Sequence, residues 1–265
     1  MNKIYKLKSW FYNKDKVFIA LSGGVDSALV AYAAFQELNK DAIAVTANYQ
    51  SISKIELNYA KQVCYEIGIR HVILTYDELQ NNNFVRNDKN RCYYCKNELA
   101  VNLLNLSKSY NVNTIVDGTN LDDYGDYRPG IKAMKNNNIR SPLAELEFTK
   151  KDIRESAKIA GISIYDKPSN SCLSSRIPWN NTITKEKLLR VELGETIVRH
   201  ETNAKQIRVR DINGTAKIEV DKNELNLLTG SVLDSIISKL QLIGFSMVIV
   251  DPEGYQTGKL NLMAN

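Results

Sequence analysis

Val17 to Leu21 is an unbroken apolar run that stops at Ser22-Gly23-Gly24. Apolar positions then recur at helical spacing from Asp26 to Leu38, and Ala42 to Ala47 forms a second run. From Ile55 to Ile67, Leu57, Ala60, Val63, Cys64 and Ile67 share one helical face, and Gly68 ends it. Val72 to Leu74 predicts a third strand, Lys96 to Tyr110 a helix, and Thr114 to Val116 a fourth strand. Continuous apolar strands alternating with helices predict βαβ units and a parallel sheet buried on both faces. Gly118 to Pro142 is polar, with Asp122, Asp123, Asp126 and an Asn136-Asn137-Asn138 tract, and is expected to be irregular. Thr149 with Asp152 resembles a capping box, opening a helix to Ala160 before Gly161.

A second irregular stretch, Lys167 to Asn181, carries Cys172 and Arg176. Past about Thr182 the pattern changes. A helix over Lys185 to His200 leads into two alternating runs, Gln206 to Arg210 and Ala216 to Val220, on either side of Asn213-Gly214. That dipeptide between alternating runs predicts a β-hairpin. A helix near Val232 to Leu242 and a strand at Met247 to Val250 follow. The expected organisation is an α/β domain over 1–181 and a small α+β domain over 182–265.

The composition, 43% hydrophobic and 25% charged, excludes a disordered, collagen-like or coiled-coil chain. The net charge of +5 suits an anionic ligand, and nucleic acid is not expected as a partner. With 4 cysteines and 2 histidines, neither a disulfide scaffold nor a histidine-rich metal site is expected. No segment approaches the ~18 apolar residues of a membrane span. Met1 to Lys16 has five lysines and no apolar signal region, so it reads as an amphipathic leading helix. The expected compartment is the cytoplasm, where thiols stay reduced.

Ser22-Gly23-Gly24-Val25-Asp26-Ser27 follows a buried strand and opens a helix. Glycines let the backbone approach an anion, and the helix N-terminus attracts it. Ser22 and Ser27 add hydroxyl donors. Asp26 would repel phosphate, so its expected partner is Mg²⁺ bridging phosphate oxygens. The lysine of a Walker A loop is missing.

Cys92-Tyr93-Tyr94-Cys95 offers two thiolates at one site. Half of a zinc site, a redox pair and iron–sulfur ligation all fit that spacing. Cys64 falls on an apolar helix face and reads as a core residue, leaving Cys92, Cys95 and Cys172; three ligands leave one metal position open. Cys172, flanked by Lys167 and Arg176, is expected to have a lowered thiol pKa.

The loop resembles the PP-loop of adenine-nucleotide α-hydrolase-like enzymes, which cleave ATP between the α and β phosphates. That resemblance places adenine near Ala47 and Gly118. With Asp117 to Asp123, Tyr127-Arg128-Pro129-Gly130, Arg140 to Leu143 and Cys172-Leu173-Ser174-Ser175-Arg176-Ile177-Pro178, nearly the whole chain resembles the LarE family. These are ATP-dependent sulfur transferases of nickel-pincer nucleotide synthesis, for the lactate racemase cofactor. The resemblance implies adenylation of a pyridinium carboxylate on a mononucleotide and release of a thiocarboxylate. Single-cysteine members sacrifice the residue matching Cys172. Cys92 and Cys95 resemble the branch holding a [4Fe–4S] cluster on three cysteines, whose extra sulfide is passed on from a sulfide or other sulfur donor. The resemblance further implies catalytic roles for Lys96 and Arg176, a nucleotide-substrate site at Arg176, Glu195, Arg208, Arg210 and Glu219, and a homo-oligomer, hexameric in family members. For Arg208 and Arg210 the polar face of a hairpin is an equally open reading. Rival functions remain: a tRNA thiolation enzyme of the same superfamily, a non-catalytic nucleotide or cluster sensor, and an amide-forming synthetase of the same fold, which would not require three thiols.

Overall fold

The computed structural model describes residues 3–125 and 128–256. Asp126 of the acidic stretch and Tyr127 of the Tyr-Arg-Pro-Gly motif lie outside the described residues. The strands are β1 (Val17–Ala20), β2 (Ala42–Asn48), β3 (Arg70–Thr75), β4 (Thr114–Val116), β5 (Ile207–Ile212), β6 (Thr215–Val220) and β7 (Met247–Val250). The helices are α1 (Lys3–Phe11), α2 (Val25–Leu38), α3 (Lys54–Ile67), α4 (Asn82–Val85), α5 (Arg91–Tyr110), α6 (Pro129–Asn136), α7 (Pro142–Glu145), α8 (Lys150–Ile159), α9 (Lys185–Thr202) and α10 (Gly230–Leu242). Two compact units result: Met1–Glu78 with Cys92–Asn170, and Leu79–Arg91 with Ser171–Asn265. The sequence placed its boundary at 181/182; this division falls at 170/171 and adds Leu79–Arg91 to the second unit.

The first unit holds an all-parallel sheet of order β3-β2-β1-β4. The two-residue period of a strand sends Val17, Ile19, Ala42 and Ala44 to one face, with residues of α1, α2, α3 and α8. Phe18, Ile43, Val45 and Ala47 go to the other, with Leu99, Ala100 and Leu103 of α5 and Met134 of α6. Cys64 is buried in the first cluster, and desolvation pushes its thiol up to about 12. Strand order reverses at β1: the chain moves outward through β2 and β3, then returns to place β4 on the other side. Ligands of open α/β sheets bind at such a switch point, beyond the carboxyl ends of the strands.

Two local expectations need correction. Gly118 to Pro142 is not irregular throughout, because α6 lies within it, with Pro129 in its first turn and Ala133 and Met134 buried. The polar Lys132, Lys135 and Asn136 on either side of those apolar positions mask the helical period in so short a segment. The helix expected from Lys96 begins at Arg91, so Cys92 and Cys95 are helical. The capping box is present, with Thr149 and Asp152 exchanging side-chain bonds to each other's backbone N–H.

In the second unit β5 and β6 pair antiparallel, and β7 adds parallel to β6. Asn213 and Gly214 have φ of 51° and 87°, the left-handed pair that a tight hairpin requires. Ile207, Val209, Ile218 and Val220 pack with Val198 of α9 and Ile236 and Leu240 of α10. Among the described residues no helix is long and apolar enough to cross a membrane.

Candidate functional site

At the carboxyl end of β1 the Ser22–Ser27 loop folds largely on its own hydrogen bonds. Ser27 Oγ accepts from Ser22 N at 3.1 Å and donates to the Gly24 carbonyl at 3.1 Å. The Ser22 and Ser27 hydroxyls stand 3.2 Å apart. Gly23 adopts φ +79°, and a Cβ there would lie 2.4 Å from the Glu56 carbonyl oxygen. Gly118, just past β4, would bring a Cβ within 2.6 Å of Ser27 N. Glycine at both positions therefore lets α3 and the β4 end close on the loop. Gly24 caps α2 and offers the first N–H groups of the helix no side-chain acceptor. Ala47, expected beside adenine, packs its methyl into the second core cluster.

Two lysines from late in the unit reach this loop. Lys150, first residue of α8, places Nζ 2.7 and 2.6 Å from the two carboxylate oxygens of Asp26. Burial still holds the Asp26 carboxyl above its usual range, against the pull of Lys150. Lys167 donates to the Gly23 carbonyl at 2.8 Å and to Glu56 Oε2 at 2.6 Å, with its ammonium 4.0 Å from the Tyr59 ring centroid. Burial pulls the Lys167 ammonium below its usual range, and Glu56 offsets part of that. Lys167 thus clamps the loop from behind. Neither contact is visible in sequence: Asp26 and Lys150 are 124 residues apart.

A half-buried carboxylate, beside glycines and a helix N-terminus, fits a magnesium–phosphate group: Mg²⁺ takes one or two carboxylates and fills its shell with phosphate and water. Asp117, at the end of β4, accepts from Ser141 Oγ at 2.7 Å, Thr119 N at 3.0 Å and Thr119 Oγ1 at 3.0 Å. Burial raises its pKa, and the charge of Lys96 is among the influences lowering it. Lys96 itself lies against Gly130 of α6, where a Cβ would come within 2.8 Å of Lys96 Cγ.

Cys92 and Cys95 are half-buried, the second and fifth residues of α5. Three residues apart on a helix, they share a face. The Tyr76 hydroxyl is buried without a hydrogen-bond partner among the described residues, and burial, then the charge of Cys95, raise its pKa. An orphaned donor near a thiol pair, and a donor set of thiols alone, fit a soft metal or iron–sulfur group. Among the described residues no group of three or more His, Cys, Asp or Glu stands at ligand spacing.

In the second unit Cys172 is the N-cap residue of a short 3₁₀ turn, Leu173–Arg176, and its Sγ lies 2.9 Å from Ser174 Oγ. Arg176 is fully buried. Its Nη1 donates to the carbonyls of Ser171 and Cys172 at 2.6 and 3.0 Å, while Nε and Nη2 bind Glu195 at 2.7 and 3.2 Å. Arg210 makes a bidentate pair with Glu219, at 2.6 and 2.7 Å, and reaches the Ser175 carbonyl at 3.1 Å. Arg208 is buried over the Tyr255 ring at 5.0 Å, and desolvation followed by the charge of Arg176 pushes it down to about 10. The polar-face reading of the hairpin therefore does not hold: Arg208 and Arg210 are 5% and 7% exposed. Arg176, Arg208 and Arg210 thus lie buried together with Glu195 and Glu219, and the charges of Arg176, Glu195 and Arg210 all act on Arg208.

Sequence reasoning missed the fastening of the Cys172 loop. Asn87, fully buried at φ 58°, donates to the carbonyls of Pro178 and Asn181 at 2.7 and 2.8 Å. It also accepts from Arg91 Nη1 at 2.7 Å, and Arg91 reaches the Ser174 carbonyl at 3.0 Å and stacks on Trp179 at 4.4 Å. No motif surrounds Asn87, and only an Arg four residues later hints at the pair.

The family model described as queuosine biosynthesis protein QueC matches residues 16–122, which contain β1 to β4. An uncharacterized protein of Synechocystis sp. is 41% identical over 261 residues, 98% of this chain and 97% of that protein. One from Methanocaldococcus jannaschii is 33% identical, over 95% of this chain and 94% of that protein. The pyridinium-3,5-bisthiocarboxylic acid mononucleotide synthase of Lactiplantibacillus plantarum is 31% identical over 251 residues, 93% of this chain and 89% of that protein. With the glycine-built loop at the sheet's switch point and relatives spanning both units, the chain belongs to the LarE family of ATP-using PP-loop enzymes.

Proposed function

We propose that this protein is an ATP-dependent sulfur transferase that converts the carboxylates of pyridinium-3,5-biscarboxylic acid mononucleotide to thiocarboxylates for nickel-pincer nucleotide synthesis. The observation that carries the reading is the identity, along nearly the whole chain, to the Lactiplantibacillus plantarum synthase. ATP with Mg²⁺ takes the Ser22–Ser27 loop, with Asp26 on the metal and Gly118 beside adenine. A substrate carboxylate oxygen attacks the α-phosphorus, the bond to the β-phosphate oxygen breaks, and pyrophosphate leaves. A sulfur nucleophile then attacks the acyl carbon and AMP departs. Adenylation is needed because a free carboxylate has no leaving group for that attack.

Arg176, Arg208 and Arg210, with Glu195 and Glu219 fixing their orientation, are the substrate's anion site. A planar guanidinium held in a fixed orientation suits phosphate or carboxylate. The second unit is in this reading the substrate-binding and oligomerisation part. A [4Fe–4S] cluster on Cys92, Cys95 and Cys172 would supply the sulfur, with one iron free of protein ligands. The chain's own part there is to present three thiolates.

The test is anaerobic turnover with ATP, Mg²⁺, the biscarboxylate nucleotide and sulfide, following pyrophosphate, thiocarboxylate product and protein mass. Iron, acid-labile sulfide and absorption near ~400 nm are expected, lost on replacing Cys92, Cys95 or Cys172 with Ala and kept in Cys64→Ala. Loss of about 34 Da from the protein per turnover would instead make Cys172 a sacrificial thiol. Absence of nucleotide-dependent pyrophosphate release would refute the function.

A further inference from the structure

We propose that Lys150 is the phosphate-binding lysine of the Ser22–Ser27 loop, leaving Asp26 for the β- and γ-phosphates of ATP as Asp26 takes up Mg²⁺. The inference rests on the chain being an ATP-using enzyme and deepens that reading. The loop itself contains no basic residue, although a bound triphosphate brings about four negative charges to it. Of the two lysines that reach the loop, Lys167 is held by the Gly23 carbonyl and Glu56, whereas Lys150 has its Nζ on both oxygens of Asp26. The α2 and α8 helices both open at this point, Asp26 lying in the first turn of one and Lys150 in that of the other. Both helix ends carry positive partial charge toward an incoming anion.

The Lys150 backbone is fixed. Thr149 caps α8 through its box with Asp152, and Lys150 N donates to Asp122 Oδ2 at 2.7 Å. The side chain is a compact charge on a flexible stem, half-exposed, so it can swing while the helix stays in place. A divalent ion at the same distance attracts Asp26 twice as strongly as an ammonium does. The metal entering with nucleotide therefore displaces Lys150, and the freed ammonium finds the phosphates beside it. Mg²⁺ alone must break the Lys150 pair with no phosphate to receive the lysine. Metal and nucleotide are thus expected to bind together. Asp123 and Arg154 also act electrostatically on Asp26, with opposite signs, and the hydrogen-bonded cation on the carboxylate is Lys150.

The test is equilibrium binding of ATP and of AMP, with Mg²⁺ and without the biscarboxylate nucleotide, to wild type, Lys150→Met and Lys150→Arg. Loss of one charge-assisted phosphate contact is expected to weaken ATP about 10- to 100-fold in Lys150→Met. AMP, which lacks both distal phosphates, should bind within about twofold of wild type. Lys150→Arg should recover most of the ATP affinity. Mn²⁺ binding without nucleotide, read by electron paramagnetic resonance, should tighten in Lys150→Met, because Asp26 no longer has its internal partner. Unchanged ATP binding, or equal loss of ATP and AMP, overturns the assignment. A wild type that binds no ATP overturns the ATP reading itself, which separates the two failures.

Discussion

The two units handle charge in opposite ways. In the first, the loop after β1 is made of backbone: glycines at close-approach positions, serines hydrogen-bonded within the loop, and one carboxylate held by a half-exposed lysine. In the second, charge is carried by side chains locked in place, with Arg176 on Glu195 and Arg210 on Glu219 buried among β5, β6 and the Cys172 turn. A backbone cradle can stay open for a large, exchangeable anion, since its donors need no counter-ion. A guanidinium cluster out of water is stable only while each charge has a partner, so it is rigid and selective.

That contrast is broken most severely by Glu195→Ala. Removing this carboxylate strands the fully buried Arg176 and withdraws an acceptor from Val209 N. Stability should fall by about 3–5 kcal/mol, measured by denaturant unfolding. Asp26→Ala should do the reverse. Stability changes by less than about 1 kcal/mol, because the pair with Lys150 is partly exposed. ATP-dependent pyrophosphate release should drop by about 100-fold or more, the scale of losing a group that stabilises developing phosphate charge. A folded Asp26→Ala protein with an unchanged pyrophosphate rate would sink the metal role.

Thr149→Ala probes the frame that carries Lys150. Loss of the N-cap should cost about 1 kcal/mol, seen as a lower unfolding midpoint. ATP affinity should weaken with it if α8 positions the lysine. The smallest effect concerns acid. The bonds from Lys3 first, then Thr149, hold the Asp152 carboxyl down to about 2, from an ordinary 3.8. A depressed carboxylate contributes stability that is full above the unfolded value and disappears as the pH falls through the folded one. Stability from this group should therefore fade between about pH 4 and about pH 2, and Asp152→Asn should flatten that limb of the unfolding curve.

Much of the architecture was legible because it depends on neighbours along the chain. Asn213-Gly214 predicted its hairpin because two successive left-handed residues strongly favour that pair. Thr149 and Asp152 predicted a helix start three residues wide. The α6 helix was hidden, since its Ala133 and Met134 sit among lysines and asparagines and bury only where the sheet offers them a face. At the candidate site, Ser22 to Ser27 could be read as an anion loop without any tertiary contact.

The sequence by itself determined the alternation that makes a parallel sheet, the glycine-built loop, the hairpin and the set of thiols. Each is written in local periodicity or in residues whose backbone freedom is special. Only the tertiary structure decided that Lys150 sits on Asp26, that Lys167 braces Gly23, that Asn87 and Arg91 fasten the Cys172 turn, and that Arg208 and Arg210 are buried beside Arg176 and Glu195. Those partners lie up to 144 residues apart. Nothing in a charge's own neighbourhood tells which distant opposite charge the fold will bring to it, because that choice is made by strand order and helix packing.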